Sequence, residues 1–112
     1  MKKLFIFLLI FNFKIVNSSE IKLEKIADDL NKPWSLSFIN KDNIIFTEKS
    51  GKLFTFNIEN KKKTAIKHNL SVLEDGQGGL LDVLFHEEKL YLSYSENRGN
   101  KETSTSVAKG DF

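Results

Sequence analysis

Few side chains in the 112 residues could do chemistry, and most are acidic, basic or imidazole. His68 and His86 are the two groups that could exchange a proton near neutral pH. His86 is a candidate general base, whereas His68, in Lys67-His68-Asn69, reads as a solvated loop residue. Glu74, Asp75 and Asp82 offer carboxylates to a hard cation, but the Asp-x-Asp-x-Asp order of an EF-hand loop is missing. Glu74 and Asp75 therefore read as surface groups, and Asp82 as a hydrogen-bonded carboxylate at a strand end. Lys61-Lys62-Lys63 is a basic run without interleaved aromatics, a solvated turn and not a nucleic-acid platform. There is no cysteine, which removes disulfides, thiolate metal sites and cysteine nucleophiles. Phosphate loops, nucleophile elbows and His-Glu-x-x-His zinc motifs are also absent. These residues assign no metal ligand and no catalytic residue.

The elements that must position such groups are short strands. Trp34, Leu36 and Phe38 alternate with Ser35 and Ser37, which puts the three large residues on one face, as core or inter-blade packing. Further β-rich or alternating runs are Asn43–Glu48, Lys52–Ile58, Lys62–Lys67, Leu80–Phe85, Lys89–Ser95 and Thr103–Lys109. Asn40 to Asn43, Lys49-Ser50-Gly51 and Glu59-Asn60-Lys61 are polar connectors of hairpin length. Glu20 to Leu30 fits both periods. Ile21 and Leu23 alternate with charges, so the first half is expected to be a strand. Strands at this spacing, four and then three, with no crossover helix between them, predict an all-β chain built from propeller-like repeats. The second repeat is one strand short, and one blade cannot bury both of its faces. The chain therefore reads as part of something larger, with exposed strand edges and apolar faces.

The first eighteen residues stand apart. Lys2 and Lys3 precede the apolar run Leu4 to Phe11, and Val16 and Ser18 have the spacing a signal peptidase prefers. Residues 1–18 are read as a secretory signal peptide, cleaved after Ser18, with 19–112 as the folding part. The apolar run is shorter than the roughly 20 residues that cross a bilayer, so no stable membrane anchor is expected. Three of the 17 basic residues lie in this segment, so the rest is close to neutral and implies no nucleic-acid partner. Export places the protein in the periplasm or outside the cell.

Four phrases in order carry a resemblance: Asn31-Lys32-Pro33-Trp34-Ser35-Leu36, Ile45-Phe46-Thr47-Glu48-Lys49 with Gly51-Lys52-Leu53, Asp75-Gly76-Gln77-Gly78-Gly79-Leu80-Leu81-Asp82-Val83, and Leu90 to Ser95. From about Ile21 to Phe112 the chain resembles the N-terminal part of the soluble glucose/sorbosone dehydrogenases, the PQQ-dependent aldose sugar dehydrogenases. The Gly-Gln-Gly-Gly-Leu-Leu-Asp phrase is the most specific.

The resemblance implies a six-bladed β-propeller, of which this chain supplies about blade one and most of blade two, holding PQQ and calcium. It implies oxidation of the anomeric hydroxyl of an aldose to a lactone, with electrons passed to an acceptor. Gln77 matches the family glutamine that lines the cofactor pocket, where an amide can both donate and accept. Gly76, Gly78 and Gly79 would let the backbone turn and approach a flat ligand. The family's base lies in a His-x-x-Gly-Arg phrase that these residues do not contain. The calcium ligands and the cofactor's carboxylate clamp are also missing, so the 112 residues alone are expected to be inactive. His86 matches a strand-end histidine, so a hydrogen-bonded structural role is expected for it and not that of the base. The family's proline after it is absent and the turn is shorter. The alternatives are a non-catalytic secreted propeller-type binding module and a small autonomous β domain.

Overall fold

The computed structural model describes residues 14–112. Residues 1–13, which carry most of the predicted signal peptide, lie outside the described part. Seven strands follow in order: β1 (Pro33–Phe38), β2 (Asn43–Glu48), β3 (Lys52–Asn57), β4 (Lys63–Ile66), β5 (Leu80–His86), β6 (Lys89–Asn97) and β7 (Thr103–Asp111). They form a four-stranded sheet, β1-β2-β3-β4, and a three-stranded sheet, β5-β6-β7, each with sequential antiparallel neighbours. Among the described residues there is no helix. These are two consecutive propeller blades, four strands and then three, as the strand spacing predicts.

Turn chemistry fixes the boundaries. Asn40 Oδ1 accepts the N–H groups of Asp42 and Asn43, both at 3.0 Å, and so folds the chain from β1 into β2. Asn57 Oδ1 does the same for Glu59 and Asn60 between β3 and β4. The shortened turn after β5 is a two-residue hairpin of Glu87 and Glu88, whose φ angles of 48° and 59° match the twist of the flanking strands. Two non-glycine residues there cost roughly 1 kcal/mol each in backbone strain.

The inner face of the first blade packs on the second. Ile45 and Leu53 from the first meet Leu80, Val83, Leu90, Leu92 and Tyr94 from the second in one buried cluster. Ile44, Phe46 and Phe56 point the other way, where Ala27 and Leu30 pack on them. Both faces of β2 are thus covered, and its last five residues are buried.

Trp34, Leu36 and Phe38 share the expected face, are 47%, 52% and 57% exposed, and stand outside the buried cluster that joins these two blades. The polar side of β1 makes the contact with the second blade. Ser37 Oγ accepts the N–H of Phe85 at 3.0 Å, and Ser35 Oγ accepts that of Val83 at 3.4 Å. β5 is the edge strand of its sheet, so its outward N–H groups need partners, and small hydroxyls supply them where large apolar residues could not. One expectation needs correction: Glu20 to Leu30 contains no strand. Ile21 and Leu23 are 80% and 93% exposed, because alternation makes a strand only where a ladder partner exists.

Candidate functional site

One end of the two blades collects the start of β1, the end of β2, the start of β5 and the end of β6. The long connection from β4 to β5 arrives there in stages. His68 pins its beginning: Nε2–H donates to the Gly51 carbonyl at 2.6 Å, and Nδ1 accepts the N–H of Leu70 at 3.2 Å. His68 is therefore a half-buried structural bridge, not the solvated residue its polar neighbours suggest. Ser71 to Leu73 then run beside the end of β6, with Asn97 N–H bonded to Ser71 O at 2.9 Å and Leu73 N–H to Ser95 O at 3.0 Å.

Next comes a tight turn from Asp75 to Gly78, closed by Gly78 N–H on Asp75 O at 2.7 Å. Gln77 sits at its tip, with an exposed side chain. The glycines divide their work. A Cβ on Gly79 would lie 2.3 Å from the Lys49 carbonyl oxygen, and one on Gly78 would lie 2.6 Å from Ser95 Oγ. Both positions are therefore tight against the protein's own atoms, not against a ligand. Only Gly76, at φ +54°, has open space beside it. The side of the turn that a ligand can approach is thus Gly76-Gln77.

Lysines surround the turn. Lys49 Nζ donates to Gly76 O at 2.6 Å and lies 5.7 Å over the Trp34 ring. Lys32 Nζ bonds Glu74 Oε1 at 2.6 Å, and this hydrogen bond foremost holds the Glu74 carboxyl below the ordinary carboxylate value. Glu48, nearly wholly buried, accepts the N–H of Asn31 at 3.0 Å and fixes the approach to β1. Two lysines and two carboxylates, Glu74 and Asp75, thus flank the turn, and the exposed Gln77 amide stands at its tip. Lys32 and Lys49 are the residues that sequence reasoning missed. Lys49 is an ordinary turn lysine in the sequence, and nothing there signals that it reaches Gly76.

Other candidates lie elsewhere. His86 stands at the opposite end, exposed, with Nε2 3.6 Å from Glu87, so it lacks the hydrogen-bonded structural role anticipated for it. Lys61 to Lys63 are also at that far end, exposed, with Lys63 Nζ 4.9 Å over the Phe54 ring. Asp82 is the hydrogen-bonded strand-end carboxylate expected: it accepts from Ser35 Oγ and, at 2.9 Å, from its neighbour Val83 N–H. Among the described residues, no three His, Asp or Glu side chains gather closely enough to hold a metal ion. Likewise, no described helix is long and apolar enough to cross a membrane.

Residues 30–112 match the family model described as Glucose / Sorbosone dehydrogenase. Among solved structures, a glucose dehydrogenase is similar at 30% identity and TM-score 0.71, over 79% of this chain and 27% of the other. The soluble aldose sugar dehydrogenase of Escherichia coli, in its apo form, is similar at 29% identity and TM-score 0.70, with the same coverages. The PQQ-bound aldose sugar dehydrogenase of Streptomyces coelicolor shares the fold at TM-score 0.67 and 17% identity, over 78% of this chain and 26% of the other. No curated protein matches the chain. The chain spans about a quarter of the length of the solved structures it matches.

Proposed function

The chain belongs to the glucose / sorbosone dehydrogenase family, and on that premise we propose that it builds the first blade and most of the second in a six-bladed, PQQ-dependent aldose dehydrogenase. The observation that carries this reading is the turn at Gln77. It presents a free amide and an open glycine at the end of the blades, braced from behind by Gly78 and Gly79. PQQ is a planar, polyanionic quinone. The residues present suit it: an amide that donates to a carbonyl or carboxylate oxygen, a lysine ammonium beside it, and an exposed indole on the same end.

In the reaction the bound quinone supplies a hydride acceptor for the anomeric carbon of the sugar. This chain's part is orientation. The Gln77 NH2 donates toward the cofactor, while its amide oxygen remains free to accept from a sugar hydroxyl. The close packing of Gly78 and Gly79 fixes where the turn leaves the blades and so sets the reach of the amide. The proton of the anomeric hydroxyl passes to a histidine of the family's His-x-x-Gly-Arg phrase, which residues 1–112 do not contain. By themselves these residues are therefore inactive. Calcium belongs to the same reading as a second cofactor of the complete enzyme, with its ligands in the family's later blades. The segment 1–18 acts as an export signal, and the enzyme works in the periplasm or outside the cell.

The test is dye-linked oxidation of an aldose by the protein expressed from its complete gene, with PQQ and calcium added. Steady turnover that needs PQQ supports the reading. No turnover with PQQ present, or a full-length sequence without the histidine phrase, makes the chain part of a non-catalytic binding module instead, and turnover that does not need PQQ overturns the cofactor assignment.

A further inference from the structure

We propose that Lys49 is the positioning residue for the Gln77 turn, an inference that rests on the reading of Gln77 given above. Lys49 holds both ends of the segment. Its ammonium donates to Gly76 O at 2.6 Å, just before Gln77, and its main-chain oxygen accepts the Leu80 N–H at 3.1 Å, three residues after it. One residue therefore brackets the glutamine from both sides.

Lys49 is itself well anchored. Its N–H donates to Lys32 O at 3.0 Å, and the carbonyl of the preceding Glu48 accepts the Gly51 N–H at 3.0 Å. The Lys49 ammonium also sits 5.7 Å over the Trp34 ring. The turn needs this support. Gly76 has open space beside it and a left-handed φ, and glycine is the residue with the most conformations to lose on ordering. A charge-assisted bond to its carbonyl removes that freedom at the side facing a ligand. The anchor crosses from the first blade to the connection that leads into the second. The position of Gln77 is thus tied to how the two blades pack, not to the turn alone.

The test pairs hydrogen exchange with PQQ binding in the protein expressed from its complete gene. Lys49→Met keeps an unbranched apolar side chain of similar length but removes the donor, and Lys49→Arg restores a donor. In K49M the Gly78 amide should exchange about 10-fold faster while the Leu92 amide in β6 keeps its wild-type rate, the pattern of local opening. The PQQ dissociation constant should rise by about 10-fold, as for loss of one charge-assisted hydrogen bond, and K49R should recover most of both effects. Unchanged exchange at Gly78 in K49M overturns the proposal. So does unchanged PQQ affinity in K49M when Gln77→Ala weakens binding. If Gln77→Ala itself leaves PQQ affinity intact, the reading of Gln77 fails, and the role of Lys49 is then decided by the exchange rates.

Discussion

Replacing Thr47 by valine should loosen the contact between the blades although it leaves the shape of the core unchanged. Thr47 is wholly buried, and its hydroxyl serves two backbone groups at once. Oγ1–H donates to Leu81 O at 2.5 Å, and Oγ1 accepts the Ser35 N–H at 3.2 Å. Both groups lie where the ladder is interrupted. Leu81 falls in the register shift between Leu80 and Val83, and Ser35 in that between Pro33 and Leu36. No strand neighbour can replace the hydroxyl at either place. Valine fills the same volume, so no cavity opens, but two part-buried main-chain groups lose a partner at about 1–2 kcal/mol each. The gain from a methyl in place of a hydroxyl offsets about 1 kcal/mol of this. The net loss is then about 1–3 kcal/mol, a sizeable share of the 5–15 kcal/mol typical of a folded domain. Urea unfolding would show a lower midpoint with an unchanged slope. Thr47→Ser, which keeps the hydroxyl and deletes a methyl, should lose only about 1 kcal/mol. If Thr47→Val proves as stable as wild type while Thr47→Ser is less so, the hydroxyl has no such role and the argument fails.

Two further outcomes follow from the geometry. Gly79→Ala puts a Cβ against the Lys49 carbonyl, which is backbone and cannot swing aside, so it should cost about 2–4 kcal/mol in thermal or urea unfolding; Gly76→Ala, with nothing near it, should cost about 1 kcal/mol from backbone strain alone. The Lys89–Asp111 pair joins the start of β6 to the end of β7, and their mutual hydrogen bond foremost lowers the Asp111 pKa and raises that of Lys89. Its contribution is present between the ordinary values of 3.8 and 10.5, fades as pH falls through the depressed carboxyl pKa, and fades again as pH rises through the elevated amine pKa. The stability difference between wild type and Asp111→Asn should therefore be flat near neutrality and vanish at both extremes; a constant difference down to strongly acid pH would contradict it.

The strands were legible because each run carries its own period and is bounded by Asn, Gly or charged turn residues. β4, with only Lys63 to Ile66, was readable from its place after the Asn57 turn. What could not be read was which face of a strand meets a neighbour. In β1 the apolar residues lie outward and the serines inward, because the neighbouring edge strand offers N–H groups rather than apolar surface. A sequence shows polarity along one strand and not the unmet donors on another. The same limit hid Lys49 and misplaced His68, since both act across long loops on backbone atoms that carry no sequence signature. Gln77 was found through its phrase. The structure adds that Gly78 and Gly79 serve packing, which leaves Gly76 and Gln77 as the open part.

The claim that matters most is that the Gln77 turn faces a quinone. Titrating PQQ into the isotope-labelled protein expressed from its complete gene, and following the Gln77 side-chain NH2 and the Gly76 amide by NMR, tests it directly. The account predicts saturable shifts at both, with the far-end residues His86 and Lys61 unmoved. Saturable PQQ binding that leaves the Gln77 and Gly76 signals unchanged would contradict it.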